Sequence, residues 1–246
     1  MVLLEAHHLK KSFGNLAVLS DINLEVQKGE LKSIIGPNGA GKTTLFNVIT
    51  GRIPMDSGQI LFRGQDVSGA KPHVRSRLGM ARSFQINNFF PNLSTLENVQ
   101  LAVQSRLKHG TSSWRHFSKG DGVEEKALEV LEWTGLGEHG HELAMNLSYG
   151  DQRKLEIGLA LGTDPSLLLL DEPTSGMSRF ESRSMIDLIE KLSKRVTIIL
   201  IEHDIELVMR VSQTILVIHY GQRIAEGTPE EIERNEEVQR VYLGGL

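Results

Sequence analysis

The sequence predicts an α/β fold built around a mostly parallel β-sheet, with an antiparallel β region at one edge and a helical insertion. Three observations support this fold class. A glycine-rich loop, residues 36–41, stands between a strand pattern and a helix pattern. Two largely apolar runs, residues 167–170 and 196–201, are typical of parallel strands that are buried on both faces. Helix patterns separate these runs, as connections between parallel strands require.

The N-terminal part of the chain has the pattern of strands that lead into the glycine-rich loop. Apolar and polar residues alternate over residues 3–26, which indicates antiparallel strands with one solvated face. Residues 30–35 then form a strand pattern that runs into the loop. Residues 42–50 follow with Leu45 and Ile49 at helical spacing. Strand, loop and helix are therefore expected in this order.

The middle of the chain changes from extended to helical patterns. Residues 59–62 and 80–85 have strand character and are separated by glycine, proline and serine. Ser94 and Glu97 fit a capping box, in which each side chain binds the backbone N–H of the other residue. A helix is expected to begin there, and residues 123–133 form a second helix pattern.

These patterns predict one domain that covers residues 1–246. We expect residues 87–147 to form an inserted helical subdomain. Residues 1–86 and 148–246 are expected to form the nucleotide-binding core together with the β region. After the insertion, helix and strand patterns alternate as in parallel α/β units. The predicted elements are helices at residues 150–161 and 180–194, strands at 167–170 and 196–201, a hairpin at 214–225, and a last helix from Pro229.

The composition fits a folded globular chain and argues against several classes of protein. The 246 residues are 39% hydrophobic and 24% charged, which is normal for globular domains. A net charge of −4 with scattered Lys and Arg gives no basic stripe, so nucleic acid is not expected as a partner. The absence of cysteine suits a reducing compartment such as the cytoplasm. No apolar run reaches the roughly 18 residues that cross a bilayer, so any membrane role is expected to come from a partner.

The glycine-rich loop has the pattern of a phosphate-binding loop in the context of strand, loop and helix that this motif requires. Glycine permits the positive φ angles that turn backbone N–H groups towards phosphate, and the helix N-terminus also favours an anion. Lys42 is expected to reach the β- and γ-phosphates of a nucleotide, and the Thr43 hydroxyl to hold Mg²⁺. The predicted nucleotide-binding residues of this loop are Gly36, Pro37, Asn38, Gly39, Ala40, Gly41, Lys42, Thr43 and Thr44.

A pair of carboxylates, Asp171 and Glu172, ends the leucine run. The carboxyl ends of parallel strands open on the ligand crevice, and adjacent acids at a buried strand end suggest a nearby cation. We expect Asp171 to support Mg²⁺ and Glu172 to orient or deprotonate the attacking water. Taken alone, the same residues also fit a strand that ends in a solvated acidic turn. Together with the phosphate loop, they predict a P-loop nucleoside triphosphatase.

Three further motifs resemble the ATP-binding-cassette (ABC) family of ATPases. Residues 147–152, Leu-Ser-Tyr-Gly-Asp-Gln, resemble the family's signature sequence. This resemblance implies that Ser148 and Gly150 close over the γ-phosphate of an ATP held by an opposite subunit. Gln85 matches the Q-loop glutamine, which touches Mg²⁺ or water, and His203 matches the switch histidine, which contacts the γ-phosphate. The resemblance spans essentially the whole chain and implies ATP and Mg²⁺ as ligands.

The resemblance assigns catalysis to Lys42, Glu172 and His203, and it places Phe13 where the family stacks an aromatic residue on adenine. Several of these residues have ordinary alternatives. Ser148 in isolation fits a helix N-cap, His203 fits a surface histidine, and Phe13 fits a core position.

The resemblance also implies partners and a location. Two ATPase subunits, identical or related, would enclose ATP between them, and integral-membrane permease subunits would dock beside the Q-loop. Residues near Gln85 that could serve as apolar anchors, or belong to the core, are Phe84, Phe89, Phe90 and Leu93. The chain would then lie in the cytoplasm at the inner face of the cell membrane and associate with the membrane indirectly.

Details of the motifs resemble the branch of the family that imports branched-chain amino acids or urea. Tyr149 in the signature and, further along the chain, residues 201–204, 226–232 and 241–244 carry this resemblance. It predicts hydrophobic amino acids as cargo, with urea or short amides as the alternative. Asp151 departs from the commonest signature, and Ser178 stands where the family's D-loop usually has Asp or Asn.

Two other classes of function compete with a transporter subunit. Cassette ATPases that act on DNA ends carry long heptad insertions, and those that act on ribosomes carry two cassettes, and neither feature is present here. The third interpretation is a nucleotide-binding regulatory module with little turnover, which the unusual D-loop leaves open. ATPase measurements with and without membrane partners would separate these classes.

Overall fold

The structure is a computed structural model that describes residues 1–83, 89–107 and 122–243. In chain order, the strands are β1 (Val2–Phe13), β2 (Leu16–Gln27), β3 (Leu31–Ile35), β4 (Ser57–Phe62), β5 (Gln65–Asp66), β6 (Met80–Arg82), β7 (Leu167–Asp171), β8 (Thr197–Ile201), β9 (Thr214–His219) and β10 (Gln222–Gly227). The helices are α1 (Lys42–Ile49), α2 (Pro72–Leu78), α3 (Thr95–Leu107), α4 (Val123–Thr134), α5 (Tyr149–Gly162), α6 (Arg179–Ser193), α7 (Ile205–Val211), α8 (Pro229–Glu233) and α9 (Glu236–Leu243). Short 3₁₀ turns lie at Gly137–His139 and Ala144–Asn146.

Two sheets organise the described residues. The first is antiparallel, with the strand order β2-β1-β4-β5. The second has the order β10-β9-β3-β8-β7-β6, and its strands are parallel except for the β9-β10 hairpin. The predicted α/β class, with a mostly parallel sheet and an antiparallel β region, is therefore confirmed. Every residue of β3, β7 and β8 is buried. The apolar runs at residues 167–170 and 196–201 predicted this burial for β7 and β8.

The core lies on both faces of the second sheet. Leu168 and Leu170 of β7 belong to an apolar cluster that includes residues of α3, α4, α5 and α6. Leu167 and Leu169 point to the opposite face and join a cluster with α1 and the antiparallel sheet. Because successive side chains of a strand alternate between faces, a strand between two apolar layers needs apolar residues throughout. The leucine run of β7 follows from this position.

The helical insertion is organised by contacts of α3 and α4 with α5. The predicted capping box at the start of α3 is present. The N–H of Glu97 donates to Ser94 Oγ at 3.2 Å, and the N–H of Ser94 donates to Glu97 Oε2 at 2.7 Å. The predicted boundary between residues 86 and 87 lies outside the described residues, so the division into core and helical subdomain stays a prediction.

Three short helices were not predicted from the sequence, and one of them is α9, which is separate from the predicted helix at Pro229. The region before β6 was assigned only breaker residues, but it contains α2, which begins at Pro72. Proline is tolerated there because the first N–H groups of a helix have no partner within the helix. The third is α7, which Asp204 caps by accepting a bond of 3.2 Å from the N–H of Leu207. Among the described residues, no helix has both the length and the apolar character needed to span a bilayer.

Candidate active site

The register of the parallel strands brings three predicted motifs to one edge of the sheet. Ile201 near the end of β8 lies opposite Ile34 of β3 on one side and opposite Asp171 of β7 on the other. The residues that follow these three strands therefore emerge side by side. They are the phosphate loop after β3, Glu172 after β7 and His203 after β8, as the sequence predicted.

The loop between β3 and α1 is a tight turn that depends on glycine. A Cβ atom on Gly36 would lie 2.1 Å from a carbonyl O of β9, a distance that no side chain can tolerate. Gly41 has a φ of 103° immediately before α1, a region that side chains disfavour. The first turn of α1, which contains Lys42, Thr43 and Thr44, presents N–H groups without a partner inside the helix. This end of α1 is therefore suited to an anion.

The other predicted residues of the cradle complete the same turn. Asn38 and Gly39 are exposed, Pro37 is half-buried, and Ala40 is buried. The N–H of Ala40 donates to the carbonyl O of Pro37 at 3.1 Å, and the N–H of Gly221 donates to the carbonyl O of Ala40 at 3.0 Å. The second bond fastens the loop to the turn of the β9-β10 hairpin.

Lys42 extends back across the loop. Its Nζ donates to the carbonyl O of Gly36 at 2.6 Å and to that of Pro37 at 3.0 Å. Burial lowers the pKa of Lys42, and the charges of Glu172 and Asp171 oppose that effect. The ammonium group is thus held over the cradle, where it can exchange carbonyl partners for phosphate oxygens.

Asp171 ends β7 with a fully buried side chain. Its Oδ2 accepts a hydrogen bond of 2.6 Å from Nη2 of Arg82, whose Nη1 donates to Oδ1 of Asn47 in α1 at 2.6 Å. Burial raises the pKa of the Asp171 carboxyl, and the guanidinium of Arg82 opposes that rise. Arg82 therefore joins the end of β7 to the helix of the phosphate loop.

The second oxygen of Asp171 fits a metal ligand. Oδ1 is buried and accepts no hydrogen bond from the described residues. Buried polar atoms without a partner are rare, and an ion that binds there is one explanation. Mg²⁺ in nucleotide sites is bound by one or two carboxylates together with phosphates. Asp171 Oδ1 and the exposed hydroxyl-bearing side chain of Thr43 are suitable ligands of this kind.

Glu172 lies at an unusual backbone position. Its φ is +47°, which is uncommon for a residue with a side chain. The N–H of Glu172 donates to the carbonyl O of Ile201 at 2.9 Å, so the turn is fastened to β8. Burial lowers the pKa of Lys42 and raises that of Asp171, and the charge of Glu172 raises both. Lys42, Asp171 and Glu172 thus form one charged cluster.

His203, the predicted switch histidine, is exposed, and the buried acid Glu202 precedes it. The side chain of His203 is 61% exposed, and its Nδ1 lies 3.6 Å from Oε2 of Glu202. Glu202 itself is fully buried. An exposed imidazole at this sheet edge can donate or accept a hydrogen bond from a ligand.

The signature residues form the start of α5. Ser148 is the N-cap of α5, because its Oγ accepts from the N–H of Asp151 at 3.2 Å and donates to Asp151 Oδ2 at 2.7 Å. The carboxylate of Glu181 lies against Gly150, and hydrogen bonds from Ser178 together with the backbone of Gly150 lower the pKa of Glu181. Among the hydrogen bonds of the described residues, none joins Ser148 or Gly150 to the phosphate loop. The role of these two residues stays a prediction.

The unusual D-loop residue caps a helix. Ser178 Oγ accepts from the N–H of Glu181 at 3.3 Å, and the N–H of Ser178 donates to Glu181 Oε2 at 2.9 Å. The hydroxyl of Tyr149 donates to the carbonyl O of Ser175 at 3.0 Å. Signature and D-loop are therefore bonded to each other within one chain.

The two remaining predicted site residues have different outcomes. Phe13 ends β1 with 49% of its surface exposed, and Lys11 Nζ lies 5.5 Å from its ring centroid. A core position is thereby excluded, and stacking on adenine stays a prediction. Gln85 lies outside the described residues.

Sequence reasoning missed Arg82, Thr174 and Glu202. Arg82 binds Asp171, and Glu202 accepts two hydrogen bonds from Thr174. One signal could have located the two charged residues. Each stands at or just after the end of a buried strand, where an unpaired charge would be costly.

Comparison with known proteins gives a consistent result. A family profile described as "ABC transporter" matches residues 19–175, and one described as "Branched-chain amino acid ATP-binding cassette transporter" matches residues 222–245. The chain is 41% identical to the high-affinity branched-chain amino acid transport ATP-binding protein LivG of Escherichia coli (strain K12), with 98% of both chains covered. It is 38% identical to the protein BraF of Pseudomonas aeruginosa, which carries the same description, again over 98% of both chains.

A solved structure supports the fold. The chain is 30% identical to an ATP-binding cassette of an ABC transporter whose crystal structure shows the ADP conformation, with 99% of both chains covered and a TM-score of 0.87. The predicted P-loop core is confirmed by this similarity.

Proposed function

The chain belongs to the ABC transporter family, and we propose that it is the ATP-hydrolysing subunit of an importer of branched-chain amino acids. ATP binding and hydrolysis follow from membership of this family. The cargo is inferred from the names of LivG and BraF and from the profile that matches residues 222–245. These similarities favour branched-chain amino acids over urea or a role outside transport.

The strand register is the observation that supports the catalytic assignment. It places Lys42, Glu172 and His203 at one sheet edge, around the end of α1. In this proposal Lys42 binds the β- and γ-phosphates, and His203 contacts the γ-phosphate. Glu172 orients the attacking water and accepts its proton during in-line attack on the γ-phosphorus.

The metal site follows from the same arrangement. We assign Thr43 and Asp171 as protein ligands of Mg²⁺, with Gln85 as a third candidate outside the described residues. When bound, Mg²⁺ would offset the negative charge of the phosphate oxygens. Phe13 is assigned to the adenine ring.

A groove beside β6 suits the permease. It has a volume of about 310 Å³ and is lined by α2, β6 and α5, with Met80, Leu159 and Ala160 among its apolar residues. Arg82 also lines this groove and binds Asp171, so the groove and the nucleotide site share one side chain. Of the predicted anchors, Phe90 is exposed and Leu93 is half-buried, whereas Phe89 belongs to the core and Phe84 lies outside the described residues.

A second ATPase subunit would complete the site. Among the described residues, Ser148 and Gly150 have no hydrogen bond to the phosphate loop of their own chain, and Ser148 bonds to Asp151 instead. In this proposal they face a nucleotide held by an opposite chain, and they exchange their present partners for its γ-phosphate. That chain is either a second copy or a related ATPase. We place the assembly at the inner face of the cell membrane, with this subunit in the cytoplasm.

Deleting the gene for this chain should abolish the ATP-dependent uptake of branched-chain amino acids. The measurement is the initial rate of uptake of radiolabelled leucine, isoleucine and valine at low external concentration, with radiolabelled urea in parallel. We expect amino-acid uptake to fall to background and to return with the wild-type gene, while urea uptake stays constant. Unchanged amino-acid uptake, or loss of urea uptake instead, would contradict the proposed cargo.

Two substitutions separate a loss of coupling to the permease from a loss of ATP binding. Leu159→Asp places a charge in the groove, whereas Leu128→Asp makes the same change on the exposed face of α4, where Leu128 is 44% exposed. We expect L159D to retain ATP binding but not to restore uptake, and L128D to restore it. Thermal unfolding of both purified variants checks that each is folded.

A further inference from the structure

Glu202 is an acid in an unusual place. It directly follows the five buried residues of β8 and precedes His203, and its side chain is fully buried. Burial of a carboxylate is costly unless hydrogen bonds replace the lost water. Hydrogen bonds from neighbouring residues must therefore stabilise the Glu202 carboxylate in this position.

Three donors bind the carboxylate. Oε1 accepts from the N–H of Thr174 at 3.0 Å and from its hydroxyl at 2.6 Å, and Oε2 accepts from the N–H of His203 at 3.1 Å. An ionised carboxylate only accepts hydrogen bonds, so it suits a site whose three partners are all donors. A neutral side chain of the same shape would not.

The partners connect Glu202 to both catalytic turns. Thr174 lies two residues after Glu172, in the turn that holds Glu172 at a φ of +47°. That turn is also fastened to β8 by the bond of 2.9 Å from the N–H of Glu172 to the carbonyl O of Ile201. Backbone in this region of φ is costly and persists only when surrounding bonds hold it.

We propose that Glu202 is a positioning residue for ATP hydrolysis, which holds the backbone of Glu172 and of His203 in a fixed relation. It acts through Thr174 on one side and through its neighbour's N–H on the other, and it touches no substrate. The inference rests on the proposed roles of Glu172 and His203. When catalytic groups are displaced by a fraction of an ångström, the rate of the chemical step falls while the affinity for the substrate is retained.

The test is the Glu202→Gln variant of the full-length chain, assayed for MgATP hydrolysis in the assembly with its partner ATPase and permease subunits. Glutamine keeps the shape but turns an NH₂ group towards donors that need an acceptor. We expect kcat to fall by about ten- to hundredfold, the equivalent of one hydrogen bond to a charged group. KM for ATP should change by less than about twofold, because Lys42 and the phosphate loop supply most of the phosphate contacts and none of the hydrogen bonds of Glu202 goes to them.

Glu30→Gln is the matched control. Glu30 is also a buried carboxylate, and it accepts hydrogen bonds from the hydroxyl of Thr214 and from the N–H of Gln27. It directly precedes β3, at the opposite end of this strand from the phosphate loop. E30Q should lower the temperature of unfolding but leave kcat near that of the wild type. Equal losses of kcat in E30Q and E202Q would show a general effect of instability and overturn the inference.

Thr174 provides a second test that leaves Glu202 in place, should E202Q fail to fold. Thr174→Val removes the hydroxyl donor and should lower kcat, whereas Thr174→Ser keeps the hydroxyl and should restore it. Unchanged kcat in T174V would overturn the inference. A wild-type chain that hydrolyses no ATP even in the presence of its partner ATPase and permease subunits would overturn the proposed function and this inference with it. Normal turnover of E202Q beside an active wild type would overturn this inference alone.

Discussion

Replacing Glu172 with glutamine lowers the rate of ATP hydrolysis by about two orders of magnitude or more, the usual contribution of a single preorganised catalytic group. Glutamine has the same shape and the same backbone requirements, so the turn at a φ of +47° is retained. It can no longer accept the proton of the attacking water. Steady-state release of phosphate measures the rate, and calorimetric titration with MgATP checks that nucleotide binding is retained.

Glu206→Gln is the control for this variant. Glu206 is an exposed carboxylate in the first turn of α7, three residues after His203, and it undergoes the same chemical change. We expect E206Q to hydrolyse ATP at the wild-type rate. Equal rates for E172Q and the wild type would mean that Glu172 is not the catalytic base.

Replacing Arg82 with methionine destabilises the folded protein by about 3 kcal/mol, because it leaves the buried carboxylate of Asp171 without its partner. The two side chains are almost fully buried and are joined by a bond of 2.6 Å. The free energy of unfolding in urea measures the effect. Arg210→Met is the control, since Arg210 and Asp187 form an exposed pair at 2.8 Å, which contributes less than about 1 kcal/mol.

The loss of stability in Arg82→Met depends on pH with a defined sign. Burial raises the pKa of Asp171, and removal of the opposing guanidinium raises it further. A carboxyl whose folded pKa lies above its unfolded pKa favours the folded state at low pH. The difference in the free energy of unfolding between the wild type and Arg82→Met is therefore smallest below the ordinary carboxyl pKa. It grows as the pH rises through the raised pKa of Asp171. A deficit that is largest in acid would contradict the account.

The parts of the site that could be located from the sequence are short motifs of a few consecutive residues. The phosphate loop, the acid pair after the leucine run and His203 each follow a strand with a strong apolar pattern. The carboxyl ends of parallel strands lie at the same edge of a sheet, so this location can be predicted before any individual contact is known. The edge at which they meet was therefore predictable from the strand patterns alone.

The parts that sequence reasoning missed depend on which strands are neighbours. Arg82 meets Asp171 because β6 pairs with β7, and Glu202 meets Thr174 because β7 pairs with β8. Neither pairing is visible in the spacing of the residues. Ser178 illustrates a different limit, since its departure from the D-loop pattern has a local purpose as the cap of α6. Its effect on coupling between subunits stays a prediction.

Calorimetric titration of the purified chain with MgATP tests the central claim that a triphosphate binds at the end of α1, beside Asp171 and Glu172. The account predicts saturable heat of binding with one nucleotide per chain, and a large loss of affinity in Lys42→Ala, which removes the ammonium group from the cradle. A folded chain that releases no heat with MgATP, or that binds it equally well as K42A, would contradict the account.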